Sequence, residues 1–199
     1  LAQQCGAEAV IAKGHEGAGR IGDGTTFLLV QQFVANLSLP VWAQGGIGLH
    51  SAAAVVTAGA SGIVLDAQLY LCRDSLITPQ ARQRLEKLDG SETTVLNGPD
   101  GFFRLFAENG SARLAQLQTA LLSQNSYALV HALQGTTAAD ADEDDQLWVI
   151  GQDACFAGHF ARVGGTVAGV IDAIRQQVSQ QVGIASKSSA LAENSELAK

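Results

Sequence analysis

The sequence of 199 residues contains no methionine, not even at position 1. Because a complete reading frame begins with methionine, we expect the chain to be a piece of a longer polypeptide. Charged residues are also few, at 16% of the chain, and the formal net charge is −7. A surface for nucleic acid or for an anionic membrane needs clustered Lys and Arg, so neither partner is expected.

Cysteines are few and widely spaced. Cys5, Cys72 and Cys155 form no C-x-x-C pair, which favours free thiols in a reducing compartment. There is no charged and apolar leader, and no apolar run approaches the length of about 18 residues that a membrane span needs. We therefore expect a cytoplasmic protein. G-x-S-x-G and G-x-x-x-x-G-K-[ST] are absent too, so serine-hydrolase and P-loop functions have no support.

Short apolar runs alternate with helical patterns in the first 72 residues. The spacing of about 25 residues between runs predicts right-handed crossovers and a parallel sheet, hence an α/β fold. Thr25 and Thr26 are candidate caps for the first helix, and Gly59 is the predicted end of the second. The predicted strands are 7–12, 41–44 and 61–66, a glycine-rich loop covers 13–24, and the predicted helices are 27–37 and 50–59.

Beyond residue 72 the pattern changes. We predict helices over 78–88, 111–134 and 166–182, mixed strand and turn over 91–106, an acidic surface loop over 136–146, and a short apolar run with a helix over 147–163. From 183 onward Ser, Ala, Lys and Glu dominate. The chain is thus divided into β/α units (1–72), a helical and mixed extension packing on them (73–182), and a linker or disordered tail (183–199).

Two predicted strands end in small or flexible residues. Gly45 and Gly46 follow one strand, and Ala67 and Gln68 follow the next. Parallel strands present their carboxyl ends at the functional face of an α/β fold, where backbone N–H groups can bind phosphate. The four residues therefore predict a phosphate site. The alternative is that the glycines only form tight turns.

The loop G-H-E-G-A-G-R-I-G after the first strand combines permissive glycines with polar side chains. His15, Glu16 and Arg20 are candidates for contact with a substrate or cofactor, and a solvated turn is the alternative. His15 and Glu16 lack the i, i+4 partner of helical zinc motifs, so no metal site is predicted.

AEAVIAKGHEGAGRIG (7–22), followed by LPVWAQGGIGLHSAAAVVTAGASGIVLDAQLYL (39–71), resembles the C-terminal half of nitronate monooxygenases. These are FMN-dependent (β/α)8 barrels that include flavin enoyl-acyl-carrier-protein reductases. The family patterns are G-x-E-A-G-G-H-x-G, I-P-V-x-A-x-G-G-I and G-A-x-x-V-x-x-G-T. A later segment, WVIGQDACFAG (148–158), is similar to the late G-Q helix of the family.

The resemblance implies roles for named residues. Gly45 and Gly46 are implied to hold the FMN phosphate from one side, and Ala67 and Gln68, standing where the family has Gly-Thr, from the other. Gly19 falls on the second glycine of the family loop, near the flavin.

Two residues depart from the family pattern. Arg20 stands at the position of the catalytic His; an arginine stays protonated and cannot act as a base, although it can bind a carboxylate, a phosphate or an anionic reduced flavin. Lys13 stands where the family often has Gln or Glu.

The implied fold is the C-terminal part of a (β/α)8 TIM barrel with additional helices and a flexible tail. The implied function is an FMN-dependent oxidoreductase domain, nitronate monooxygenase-like or enoyl reductase-like. The LDAQLYL and GQDACFAG segments look most like variants within polyketide or polyunsaturated-fatty-acid synthases, so a small-molecule or acyl-thioester substrate and other synthase domains are the expected partners. A whole barrel needs about 250 residues, so we expect this chain to be inactive alone.

Two alternatives remain. One is a catalytically degenerate barrel that serves as a structural or docking domain, suggested by Arg20 and by the altered Gly-Thr pair. The other is a barrel that binds a different phosphorylated metabolite.

Overall fold

The computed structural model describes residues 2–99, 101–107, 111–124, 133 and 147–196, with side chains described up to residue 183. The strands are β1 (Val10–Lys13), β2 (Gly19–Ile21), β3 (Val41–Gln44), β4 (Gly62–Val64), β5 (Thr93–Gly98), β6 (Gly101–Ala107) and β7 (Leu147–Trp148). The helices are α1 (Thr26–Asn36), α2 (Leu49–Thr57), α3 (Pro79–Leu85), α4 (Ala112–Leu122), α5 (Ala157–Val163) and α6 (Val167–Glu196), with 3-10 turns at Ala67–Leu69 and Gln152–Phe156.

The first part of the chain forms a parallel sheet in the order β1-β3-β4. Val10 pairs with Val41, and Trp42 pairs with Gly62. Helices α1 and α2 are the crossovers between these strands. The predicted α/β fold with parallel strands is confirmed, and Gly59, at φ +102°, lies just after α2 as expected of a helix stop.

The parallel sheet is covered by helices on one face. Ala12 and Ala43 are fully buried there, in a core with Val30 of α1 and Val170 of α6. On the opposite face, which we call the open face, Ile11 is 53% exposed.

Trp42 lies beside Ile11 on the open face and is 41% exposed. A Cβ atom at Gly62 would lie 2.7 Å from the Trp42 ring, so the ring packs directly over the neighbouring strand. The described residues do not close into a complete barrel.

A second, antiparallel sheet has the order β2-β6-β5, with β7 paired to β6. Its core contains the fully buried Leu105, Leu117 and Leu147. The hairpin of β5 and β6 confirms the mixed strand and turn expected over 91–106.

Strand β2 lies inside the segment 13–24, for which the sequence predicts only a glycine-rich loop. Its glycines give no local strand signal, and its pairing partner lies far along the chain: Gly19 pairs with Arg104 and Ile21 with Phe102. Long-range pairing and burial of Ile21 thus override local propensity here.

The last helix, α6, continues to Glu196, beyond the start of the linker or tail predicted at 183. Ala, Leu, Glu and Lys in this segment are good helix formers, so the polar composition suits a helix as well as a coil. The predicted acidic loop 136–146 lies outside the described residues, as does most of 125–134. The division of the chain at 72 and 183 stays a prediction.

The structure also bears on the cysteines and on the question of membrane-spanning helices. Cys5, Cys72 and Cys155 are all free thiols, and Cys72 is fully buried. Within the described ranges, no single helix is both long and apolar enough to cross a membrane. Among the residues that the structure describes, one bent pair of helical segments, 152–163 and 167–183, reaches that length and composition together, with an angle of 96° between them.

Candidate functional site at the strand ends

The carboxyl ends of β1, β3 and β4 meet at one edge of the parallel sheet, which we call the strand-end edge. The loop after β1 packs against the turn after β3: Gly14 N donates to Gln44 O at 2.9 Å. Gly45 has φ +98°, and a Cβ atom there would lie 2.9 Å from Gly17 N. Glycine is therefore required at 45, both for its backbone conformation and for this close approach.

Glu16 joins the same two loops to the start of α1. Its Oε2 accepts hydrogen bonds from the backbone N–H and the hydroxyl of Thr26, each at 3.1 Å. The single O–H of Thr26 is shared between Glu16 Oε2 and Gln44 O, which lies 2.8 Å from Thr26 Oγ1. The expected side-chain cap is therefore not formed: Thr25 is the N-cap residue of α1 but makes no side-chain cap hydrogen bond. The Glu16 carboxylate satisfies the Thr26 N–H at the helix start instead.

Gln68 has no exposed surface and joins three segments of the chain. Its Oε1 accepts from Asp66 N at 2.9 Å, and its Nε2 donates to Ile47 O at 3.3 Å and to Asp153 Oδ2 at 3.1 Å. The structure therefore brings the turn after β3 and the turn after β4 together at the strand-end edge. The side chain of Gln68 is fully engaged in holding them there.

Asp66 is a site residue that the sequence reasoning did not single out. Its Oδ1 accepts from Ala67 N at 2.6 Å, and its Oδ2 accepts from Gln44 Nε2 at 3.1 Å. The family pattern G-A-x-x-V-x-x-G-T can be counted along the sequence from Gly59 and Ala60. Its final Gly-Thr pair then falls on Asp66 and Ala67, one residue before Ala67 and Gln68, the pair expected from the sequence. A carboxylate thus stands where the family has glycine.

Asp153 was also missed, and it lies 85 residues beyond its partner Gln68. It is 1% exposed, and its Oδ1 has no hydrogen-bond partner among the described residues. The pKa of Asp153 is raised to about 7, mainly by desolvation and also by the charges of Asp66 and Glu16, whereas the N–H groups of Gly46 and of Asp153 itself oppose the rise.

Arg104 of β6 supplies a buried positive charge next to these carboxylates. It is 4% exposed, and it donates from Nε to His15 O and from Nη1 to Thr93 Oγ1, both at 2.8 Å. Desolvation lowers the pKa of its guanidinium, while the charges of Glu16 and Asp153 raise it. Arg104 thus ties the antiparallel sheet to the loop after β1.

The structure places Gly19 and Arg20 on the antiparallel sheet. Gly19 has φ +71°, and a Cβ atom there would lie 3.9 Å from Lys13 Nζ, at the end of β1. Arg20 is exposed and pairs with Phe103. His15 Nδ1 lies 4.0 Å from Glu16 Oε2. The catalytic role of Arg20 and the flavin contact of Gly19 stay predictions.

One of the donors predicted for a phosphate is taken by a carboxylate of the chain itself. Ala67 N–H donates to Asp66 Oδ1, and a second carboxyl group, that of Asp153, is held by Gln68 beside the turn after β3. The donor set, as it stands, does not fit a cofactor phosphate. The phosphate roles of Gly45, Gly46, Ala67 and Gln68 stay predictions that require these carboxylates to be displaced. No group of His, Cys, Asp and Glu within the described residues could hold a metal ion.

Residues 1–160, more than half of the chain, match the family model of nitronate monooxygenase. The chain belongs to the nitronate monooxygenase family. Among known proteins it is similar to FabK from Thermotoga maritima, with 24% identity and a TM-score of 0.72 over 93% of this chain and 58% of that one.

Two other solved structures share the fold. Nitroalkane oxidase from Streptomyces ansochromogenes has 20% identity and a TM-score of 0.65, over 92% of this chain and 55% of that one. The enoyl reductase domain of MlnA, from the macrolactin biosynthesis cluster of Bacillus amyloliquefaciens, has 12% identity and a TM-score of 0.63, over 93% and 58%.

A curated relative matches a shorter region. It is (3aS,4S,5R,7aS)-5-hydroxy-7a-methyl-1-oxo-octahydro-1H-indene-4-carboxyl-CoA dehydrogenase from Rhodococcus jostii (strain RHA1), 31% identical over 97 residues. The match covers 48% of this chain and 28% of that protein. The chain therefore spans little more than half the length of the solved structures that it resembles. It matches a smaller share, 28%, of the length of this curated relative.

Proposed function

We propose that the chain is part of a flavin-dependent oxidoreductase, of the nitronate monooxygenase-like or enoyl reductase-like type. The family match over residues 1–160 carries the proposal. It is supported by the likeness of the fold to FabK and to a nitroalkane oxidase. The flavin, FMN in the family that the sequence resembles, would supply the electron transfer, and the protein would position the reactants around it.

The chain's own polar residues suit such a role at the strand-end edge. By the alternation of side chains along a strand, Lys13 and Gln44 share the open face with Ile11 and Trp42, at the carboxyl ends of their strands. Enzymes of barrel architecture place their substrate-contacting residues at these ends. An apolar sheet face that ends in a cation and an amide suits a largely apolar substrate with an anionic or carbonyl group.

Arg20 favours binding over proton abstraction. An arginine cannot act as a general base, so we do not expect this position to remove a proton from the substrate. Its guanidinium can bind and neutralise an anionic group instead. We propose a small-molecule or acyl-thioester substrate, with other synthase domains as partners. The MlnA likeness supports the synthase setting, since that neighbour is an enoyl reductase domain of a biosynthetic cluster.

Visible spectroscopy of the full-length protein tests the proposal. We expect flavin absorbance in the purified protein, or saturable binding of added FMN. Anaerobic mixing with NADPH followed by an enoyl thioester, compared with mixing with an alkyl nitronate and oxygen, separates the reductase from the monooxygenase reaction. A protein that binds no flavin and catalyses neither reaction would overturn the proposal in favour of a structural domain.

Arg20→Ala tests the substrate role within the same experiment. We expect weaker binding of the anionic substrate, seen as a higher KM. Arg175→Ala is the matched control, because the side chain of Arg175 is 77% exposed and forms a local ion pair with Asp172. Equal kinetics in the two variants would remove Arg20 from the mechanism.

A further inference from the structure

We propose that the carboxyl groups of Asp66 and Asp153 occupy the strand-end edge, so that a flavin phosphate is not bound there. Asp66 takes the Ala67 N–H after β4 and the Gln44 side-chain amide at the end of β3, and Asp153 is buried against Gln68. The part that concerns flavin rests on the proposed function. The part that concerns phosphate follows from the contacts of the chain itself and can be tested without a flavin.

Asp66 makes the contacts that a ligand anion would make. One carboxylate oxygen accepts from Ala67 N, the first N–H of the 3-10 turn, and the other accepts from the Gln44 side chain at the end of β3. A carboxylate that accepts N–H bonds from two strand ends satisfies the donors that otherwise attract phosphate. The anion is therefore supplied by the residue that precedes the turn.

Asp153 fills the other side of the edge. It is 1% exposed, and its Oδ2 accepts from Gln68 Nε2, which also donates to Ile47 O in the turn after β3. Its Oδ1 has no hydrogen-bond partner within the described part of the chain. A segment far along the sequence thus places a buried carboxyl group beside the turn after β3.

The charges around the edge oppose a further anion. Asp66 and Glu16 are close enough to raise the pKa of Asp153. Arg104 is the buried cation that faces Glu16 and Asp153, and two of its five N–H groups donate to His15 O and to a β5 threonine. A phosphate dianion would add two negative charges to this cluster in a medium of low dielectric constant, which is strongly unfavourable.

Comparing FMN with riboflavin tests the proposal, because the two ligands differ only in the phosphate. In the full-length protein we expect the two dissociation constants to agree within about threefold. Asp66→Gly frees Ala67 N–H and removes a charge, so we expect it to tighten FMN binding by about tenfold or more while leaving riboflavin unchanged. Asp66→Asn, which keeps the shape and removes only the charge, should shift FMN in the same direction by less.

Asp23→Asn is the matched control, since Asp23 is exposed in the loop before α1 and its replacement changes the net charge equally. A wild-type protein that binds FMN more than about tenfold tighter than riboflavin would overturn the proposal. So would Asp66 variants that bind FMN no better than the Asp23→Asn control.

A second readout separates this inference from the proposed function. If no variant binds any flavin, the proposed function fails. The inference is then tested by measuring the melting temperature with added inorganic phosphate, and with chloride at equal ionic strength as the reference. Wild-type protein should show no saturable stabilisation by phosphate, whereas Asp66→Gly should show it. Saturable stabilisation of the wild type that is lost in Asp66→Gly would overturn the inference.

Discussion

Replacing Asp153 with Asn removes a buried ionisable group at nearly constant side-chain volume. The wild-type carboxyl has its pKa raised from 3.8 to about 7, mainly by desolvation. Between these two pH values the folded protein holds a proton that the unfolded chain has released. The stability of the wild type is therefore higher at the acidic end of this window and falls as the pH rises through it.

The size of the effect follows from the linkage between protonation and folding. One pKa unit corresponds to about 1.4 kcal/mol, and integrating the two titration curves from pH 5 to pH 8 gives a loss of about 2–3 kcal/mol in the wild type. The amide of Asp153→Asn does not titrate, so the free energy of unfolding of the variant, relative to wild type, should be higher at pH 8 than at pH 5 by this amount. Any fixed cost of replacing the acid with an amide cancels in this difference.

Urea unfolding of both proteins at several pH values measures this difference, provided that the slopes agree. Asp23→Asn is the control and should give the same stability difference from wild type at every pH, because Asp23 is exposed. A stability difference between Asp153→Asn and wild type that does not change between pH 5 and pH 8 would refute the reasoning. The carboxyl of Asp153 would then be ionised in the folded protein at both pH values.

Two further substitutions test the packing around the site by the same urea assay. Gly45→Ala should lower the free energy of unfolding by about 2 kcal/mol or more, because Gly45 has a positive φ and a close backbone neighbour. Gly22→Ala should change the free energy of unfolding little, because a Cβ atom at Gly22 meets nothing within 4 Å. Phe160→Ala should cost about 3–5 kcal/mol, because the ring is fully buried in the core under the parallel sheet. Leu76→Ala, at a side chain 92% exposed, should stay within about 0.5 kcal/mol of wild type. Equal costs within either pair would contradict this packing.

The parallel units could be predicted because their signals are local. The strand Val41–Gln44 follows a proline and ends at a pair of glycines, and the next helix ends two residues before Gly59. Apolar runs of this length between turn residues indicate buried strands without knowledge of their partners. The boundaries of β1 and of the first two helices accordingly fall within a few residues of those expected.

The antiparallel sheet and much of the site depend on contacts that no local pattern contains. Arg104 reaches His15 across 89 residues, and Asp153 reaches Gln68 across 85. The pKa of Asp153 is a property of its burial, which composition and spacing do not specify. Asp66 is different, since counting the family pattern from Gly59 identifies its position by sequence alone.

The two tryptophans of the chain have opposite surroundings. Trp42 on the open face is 41% exposed, whereas Trp148 of β7 is 1% exposed and stacks near Phe106. An indole in water fluoresces at longer wavelength and is reached by small collisional quenchers, and a buried one is protected from both effects. The protein therefore has a built-in optical probe: any molecule that covers the open face changes the emission of one ring and leaves the other as an internal reference.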